Sequence, residues 1–386
     1  MKKRFKVAVL MDVSRAYDRD VLTGITNFNK IHDKFVFFFF SPRYVHNDNQ
    51  AAIIKRLVKW RPDGVLTREV DGFKQMLKLN VPLIIFPHTN LYKNEINVWG
   101  DNHLIGQVSA EYFINRGYKS FGFLGFKGFQ WSVEREKGFV EYVGKFGHSV
   151  NAFNFDNKNL LWEELPTKLV DWLKVFKNPT AIFSATDELN ILLLEAAKNA
   201  GLKVPDDLSI MGVDNDALIC ETTNPTLSSI DHNAWQYGFQ AAMILSRWME
   251  HGERPDCNII CKPGTIVLRN STNIMAIEDE QVRTALHYIT NVAPSEDISV
   301  DDVVKVTTLS RRILEKRFQR LIKSSVLEEI KKARIQRIKY LLEYSELSIL
   351  QIASELNFRN FDNITRYFKQ FTGINPKEYR NQFRRD

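Results

Sequence analysis

The chain has 386 residues, 44% of them apolar and 26% charged, with a formal net charge of +7. That length allows two or three domains with proper cores, and that composition excludes a disordered or collagen-like chain. The charge is uneven: residues 303–386 hold 19 Lys plus Arg against 9 Asp plus Glu, a net +10, and the rest carries a net −3. A cationic segment beside a near-neutral one predicts that one domain meets polyphosphate and the other a neutral ligand.

The opening MKKRFKVAVLMD has a basic start but only a five-residue apolar run before Asp12. That is too short for a signal peptide or a membrane span, so a cytoplasmic protein without membrane contact is expected. FVFFFF at 35–40 is strand-sized and reads as a buried parallel strand. Further strand candidates are GVLT at 64, PLIIF at 82, INVWG at 96, SFGFLG at 120, NAFNF at 151, AIFSA at 181, LSIMGVD at 208 and TLSSI at 226. Stretches with helical spacing, such as Asp48 to Trp60, Leu104 to Arg116 and Asn190 to Ala200, lie between most of them. This alternation predicts an α/β fold with parallel sheets covered by helices on both faces. The stretch up to about residue 270 exceeds one usual core, so two doubly wound lobes are expected.

In such sheets ligands bind beyond the carboxyl ends of strands. Asp12, Tyr17, Asp18 and Arg19 follow the first strand, Asp187 follows AIFSA, and Asp214, Asn215 and Asp216 follow LSIMG. Trp131 and Arg135 follow SFGFLG. Asp and Arg offer acceptors and donors in fixed directions, and an indole offers a flat apolar face to the C–H side of a sugar ring. A strand-end Asp is also a common helix cap, and Asp101 before NHLIG reads first as a cap. Cys220, Cys257 and Cys261 have no His or Cys partner pair nearby, so plain thiols rather than metal ligands are expected, in a reducing compartment. No GxSxG, P-loop or HExxH motif is present, and GFLGFKG at 122–128 lacks the dinucleotide spacing. No enzyme activity, metal or cofactor is expected.

Near the C-terminus, Ile349 to Tyr379 predicts a helix-turn-helix. Ile349, Ile352 and Ala353 share one face of a first helix. Ile364, Tyr367, Phe368 and Phe371 repeat at helical spacing in a second, whose other face carries Asn360, Asp362, Thr365, Arg366 and Lys369. A shift of 50 residues aligns Val303 with Ala353, Leu314 with Ile364, Lys316 with Arg366 and Phe318 with Phe368. The echo predicts a second unit, with Leu314, Phe318 and Leu321 packing and Arg312, Glu315, Lys316 and Gln319 outward. One long helix at about 329–343 would join the two, presenting recognition helices roughly 34 Å apart to one face of duplex DNA. Base contacts are expected from Arg312, Lys316, Asp362, Thr365 and Arg366. Lys331, Lys332, Arg334 and Lys339 are expected to serve phosphates or solubility.

The C-terminal hundred residues, with Phe371, Gly373, Asn375, Pro376, Tyr379 and Arg380, resemble the arabinose-regulator type of DNA-binding domain. Thr308 and Asn357 stand where that family often has glycine in its turns. DNHLIGQVSAEYFINRGYKSFGFLG, WSVEREKGF and FSATDELNILLLEAAKNAGLKVPDDLSIMGVDND resemble the effector domain of the lactose-repressor type, itself similar to periplasmic sugar-binding proteins. That family carries its DNA reader before the effector domain, whereas here the reader follows it. The combination, with AYDR at 16–19, LHYITN at 286–291, LEKRF at 314–318 and PKEYR at 376–380, resembles the regulators of xylose operons. The resemblance implies a transcription regulator with a monosaccharide effector, a pentose and D-xylose first. It implies a sugar site of Tyr17, Arg19, Trp131, Arg135, Asp187 and Asp214, a double-stranded DNA operator, a homodimer, and RNA polymerase as partner if the output is activation. The expected domains are 1–274 for the effector, 275–284 for a linker and 285–386 for the DNA reader. A sugar receptor or transport protein without a DNA role is the alternative, and it leaves the +10 segment unexplained.

Overall fold

A computed structural model describes residues 4–383 except 12, 41–46, 70–72, 90, 157–163, 178, 257, 273–278, 346 and 359–360. Asp12, Cys257, Asn360 and residues 275–278 of the expected linker therefore lie outside the described residues. The chain divides into two compact units, 1–272 and 273–386.

In the first unit, β1 (Phe5–Leu10), α1 (Ala16–His32), β2 (Phe35–Phe40), α2 (Asn47–Trp60), β3 (Gly64–Arg68), α3 (Phe73–Met76), β4 (Leu83–Phe86) and β5 (Ile96–Gly100) form one lobe. The chain then crosses to a second lobe of α4 (Asn102–Asn115), β6 (Ser120–Phe126), α5 (Gln130–Gly144), β7 (Val150–Phe155), α6 (Leu165–Leu173), β8 (Thr180–Ser184), α7 (Asp187–Asn199), β9 (Leu208–Val213), α8 (Ala217–Thr222) and β10 (Ser228–Ile230). It returns as α9 (Ala234–His251) and β11 (Ile259–Cys261), and crosses a third time to β12 (Ile266–Val267). The sheets run β2-β1-β3-β4-β5-β11 and β7-β6-β8-β9-β10-β12. Their described pairings are parallel except β10 with β12.

Central strands such as Val65–Thr67, Leu83–Phe86 and Thr180–Ser184 are buried throughout, as parallel strands covered on both faces must be. The FVFFFF strand departs from the expectation of full burial. It is parallel, but it lies at a sheet edge, where Val36 and Phe39 are about half exposed. An apolar run alone does not distinguish an edge strand from a central one. The three-residue β11 and two-residue β12 were too short to stand out in the sequence.

Each lobe is fastened by one close helix pair, and glycine permits the approach. A methyl on Gly24 of α1 would sit 1.9 Å from the Trp235 carbonyl oxygen of α9, and one on Gly238 would sit 1.8 Å from that of Val21. Gly106 of α4 and Gly138 of α5 meet the carbonyls of Arg135 and His103 at 2.1 and 2.0 Å in the same way.

The second unit is helical among its described residues: α10 (Glu280–Val292), α11 (Val300–Lys305), α12 (Arg311–Leu321), α13 (Val326–Tyr344), α14 (Ile349–Glu355), α15 (Phe361–Thr372) and α16 (Pro376–Phe383). Gln281 already lies in α10, so the latter half of the expected linker is helix, started by the Asp279 cap. The 50-residue echo extends well beyond the recognition helices. Ser325 with Glu328 and Asn375 with Glu378 make equivalent reciprocal caps, and Lys323 and Gly373 equivalently take left-handed conformations at φ 59° and 80°. Two cores result. One joins α10, α11, α12 and the start of α13 around Leu314 and Phe318. The other joins the rest of α13 with α14, α15 and α16 around Ile364 and Phe368.

The turn of the first helix-turn-helix needs no left-handed residue. Neither Thr307 nor Thr308 has positive φ, whereas Asn357 takes φ 57° in the second. Instead Gln281 reaches across from α10, its Oε1 accepting from the Thr308 amide at 2.7 Å and the Thr308 hydroxyl at 3.0 Å. A side chain thus supplies the acceptor that the turn requires.

Candidate functional site

The cleft between the lobes of the first unit is lined by the carboxyl ends of strands, by the start of α1 and α5, and by the crossing segments. Its empty space, counted out to the open mouth, is about 480 Å³. Tyr17, Trp131, Arg135 and Asp214 line it, together with Arg15, Arg68, His88, Trp99, Asn102 and His232.

Arg135 is 3% exposed, and its Nε donates to Asn102 Oδ1 at 2.9 Å while Nη1 donates to the Ala185 carbonyl. Nη2 has no hydrogen-bond partner among the described residues and remains available to a ligand. Burial pushes this guanidinium below its ordinary pKa, opposed by the nearby Asp214 carboxylate. Asp214 sits on a turn with φ 100°, followed by Asn215 at φ 50°. Burial raises its pKa and Arg135 works against that rise. Its carboxylate has no hydrogen bond within the described chain, so it is a free acceptor. The Trp131 ring lies 5.0 Å from the Arg135 guanidinium carbon and belongs to an aromatic wall with Phe126, Phe129 and His88.

Facing this wall, Tyr17 packs edge-on against His232 and Tyr237 and lies beneath the Arg68 guanidinium at 4.7 Å. Arg68 also pairs with Asp18 at 2.7 Å and donates to the Phe86 and Pro87 carbonyls. Burial would lower its pKa, but the charge and hydrogen bond of the Asp18 carboxylate reverse the sign. Burial drives the His232 pKa well below its ordinary value, so this imidazole is neutral at pH 7. Arg68 closes β3 and His232 follows β10, so the strand-end rule that selected Asp187 applies equally to both. No local motif in the sequence marks either of them.

Two expected sugar ligands do not line the cleft. Arg19 turns away, donating to the Ser14 carbonyl at 2.8 Å and pairing with Asp216 of the other lobe at 3.4 Å. Arg15 makes a similar link to Glu188 at 3.8 Å. Asp187 is 1% exposed, and its Oδ2 accepts from the Asp216 amide at 3.0 Å and the Cys220 thiol at 3.3 Å. Burial, then the nearby Asp214, raises its pKa to about 8. Asp187 therefore braces the Asp214–Asp216 turn from behind, because α7 begins at this residue and turns it against β9 rather than into the cleft. Asp101 caps α4 by accepting from the Leu104 amide at 2.9 Å and is not a lining residue. Cys220 and Cys261 are free and buried, and no cluster of metal-ligand type occurs among the described residues.

In the second unit α12 exposes Arg312, Lys316, Gln319 and Arg320 along one face. On α15 Asp362, Arg366, Lys369 and Gln370 are exposed. Thr365 differs from the expectation: it is half-buried, and its hydroxyl oxygen is buried without a hydrogen-bond partner among the described residues. It falls one position beyond the buried Ile364, on the flank of the packing stripe. Arg334, expected to serve phosphate or solubility, is 6% exposed and inaccessible to DNA phosphates. Lys332 pairs with Glu329 at 2.6 Å.

Comparison with known proteins agrees with both halves. The periplasmic binding protein-like domain matches residues 110–272, and a helix-turn-helix domain matches 303–382. The xylose operon regulatory proteins of Escherichia coli (strain K12) and Haemophilus influenzae are each 27% identical to this chain. The matches cover 98% and 97% of it, and 97% and 98% of those proteins. A solved structure of a xylose-binding transcription activator matches 100% of both chains at 25% identity with a TM-score of 0.72. A LacI family regulator from Enterococcus faecium with bound ribose covers 71% of this chain at 18% identity and TM-score 0.56, which speaks for the fold of the first unit alone. No described helix is long and apolar enough to cross a membrane. Over its whole length the chain is similar to the xylose operon regulatory proteins, and it is a DNA-binding transcription regulator, with a periplasmic-binding-protein-like domain ahead of two helix-turn-helix units.

Proposed function

We propose that the first unit binds a monosaccharide, a pentose and D-xylose first, in the cleft between its lobes, and that this occupancy controls DNA binding by the second unit. The observation that carries the reading is the grouping of a free Asp214 carboxylate, an Arg135 Nη2 without a described partner and the Trp131 ring around one cleft of sugar size. A charged acceptor and donor hold hydroxyls by strong directed bonds, and the indole takes the C–H face. Tyr17, Asn102 and Arg68 complete the lining. Arg19 and Asp187 act one step back, Arg19 through its pair with Asp216 across the cleft mouth and Asp187 by bracing the Asp214 turn.

A ligand shifts the open-closed equilibrium only by binding the two forms with different affinity. Arg15–Glu188 and Arg19–Asp216 link opposite lobes, so both pairs exist only when the lobes are near each other, and a bridging sugar favours the same state. On DNA, Arg312, Lys316 and Arg366 read base edges and Asp362 flanks them, while Thr365 contributes packing. The protein works in the cytoplasm as a homodimer on an operator upstream of sugar-utilisation genes, contacting RNA polymerase where it activates.

The test is a gel shift on DNA upstream of neighbouring sugar-utilisation genes, run with xylose, arabinose, ribose and glucose. Binding altered by xylose at lower concentration than by the others is expected. Binding indifferent to every sugar would sink the effector role, and a protein that consumes the sugar would overturn the absence of catalysis.

A further inference from the structure

Arg334 lies midway along α13, between the two helix-turn-helix cores. On this helix the first core reaches Ile330, with Ala333 packed against it, and the second begins at Ile335, so the two form separate hydrophobic clusters. Arg334 ties them by polar contacts. Its Nη1 donates to Asp297 Oδ1 at 2.5 Å and to the Glu296 carbonyl at 3.4 Å, both in the loop that leads into α11. Its Nη2 donates to the Leu356 carbonyl at 2.8 Å, and the guanidinium carbon lies 4.7 Å from the Phe358 ring centroid. Leu356 is the C-cap of α14, and the left-handed Asn357 after it makes the turn that launches α15. The Asn357 amide adds a second tie, donating to the Ser295 carbonyl at 3.4 Å.

We propose that Arg334 is a positioning residue that sets the separation and rotation of the two recognition helices, and with them the base-pair spacing between the two DNA subsites. The inference rests on the DNA-binding reading of α12 and α15. A single helix joining two small cores leaves their relative twist soft, and a small rotation about α13 moves α12 and α15 out of phase with successive grooves. A planar guanidinium holding acceptors from both helix-turn-helices in a fixed fork removes that freedom. A buried arginine is a costly way to add stability compared with an apolar side chain of similar volume, which fits a role in specifying geometry.

The experiment selects duplexes from a random pool with the full chain, then measures affinity for the selected duplex, for spacing variants of it and for each half alone. Arg334→Met removes the fork, and Asp297→Ala removes its end in the first helix-turn-helix at a residue whose side chain is 77% exposed, with the melting temperature checking that the fold is kept. The wild type is expected to enrich two half-motifs at one spacing. Both variants should enrich the same half-motifs over a range of one or two base pairs. They should lose about tenfold on the wild-type spacing and less than about twofold on single halves, as expected when the effective concentration of the second site falls. Arg334→Lys, which reaches only one partner at a time, should fall between. Variants that keep a single spacing and full affinity would overturn the proposal, as would an equal loss on half and full sites, the mark of a general structural role. A wild type that enriches half-motifs without fixed spacing refutes the clamp alone. One that enriches nothing removes the DNA reading and the clamp together.

Discussion

Asp187 offers a sharp test, because it stands where a sugar ligand was expected and the structure makes it a buried brace. Its carboxyl has a pKa of about 8 in the folded chain, raised by burial and by Asp214. An Asp in the unfolded chain titrates near 4. Between those two values the folded state holds a proton that the unfolded state has released. The stabilising effect is therefore complete below pH 4 and is lost as pH rises through 8, by a factor approaching ten in the folding equilibrium per pH unit. The whole window amounts to roughly 5 kcal/mol. Asp187→Asn keeps the shape and an acceptor for the Asp216 amide and removes the titration. Asp20, an exposed residue on α1, is the same in both proteins, so the difference between them isolates Asp187. Urea unfolding of the first unit's transition in the full chain, from pH 5 to 8.5, should show wild-type stability falling relative to Asp187→Asn as pH rises. The variant should retain sugar affinity within a few-fold. Parallel stability curves would refute the buried-acid assignment, and complete loss of sugar binding with an unchanged fold would return Asp187 to the ligand set.

Other expectations follow from the same geometry. Arg68→Met removes the guanidinium paired with the 2% exposed Asp18 side chain and should cost about 3 to 5 kcal/mol, read as a lower melting temperature that Asp18→Asn in the same chain partly restores. Trp131→Ala should weaken sugar binding about tenfold by calorimetry with little change in melting temperature, and unchanged affinity would remove the stacking role. Asp214→Asn should weaken it further and, unlike Trp131→Ala, make the remaining affinity less dependent on pH. Arg366→Ala should cost about 1 to 3 kcal/mol on selected DNA and relax base choice at one position, and an unchanged footprint would refute base contact by that residue.

The alternation of strand and helix, the two-lobe size argument, the 50-residue echo and the basic C-terminal segment were legible in the chain itself. Each depends on local periodicity or on composition, which the sequence carries directly. Leu314, Phe318, Ile364 and Phe368 were legible for that reason, and so were Trp131, Arg135 and Asp214, which follow strands at the end where crevices open. Tertiary structure alone decided direction and company. Asp187 and Asp214 both follow strands, but α7 turns the first against β9 while a left-handed turn leaves the second facing the cleft. Arg19 and Arg68 carry the same group, and only tertiary packing sends one to Asp216 of the other lobe and the other to Asp18 of its own. Arg334 reads as one more cation on a basic helix until the Asp297 loop and the Leu356 carbonyl, 37 residues before it and 22 after it in sequence, close around it. Periodicity fixes which face a residue occupies, whereas its hydrogen-bond partners come from segments distant in the chain, and those exist as neighbours only in the folded molecule.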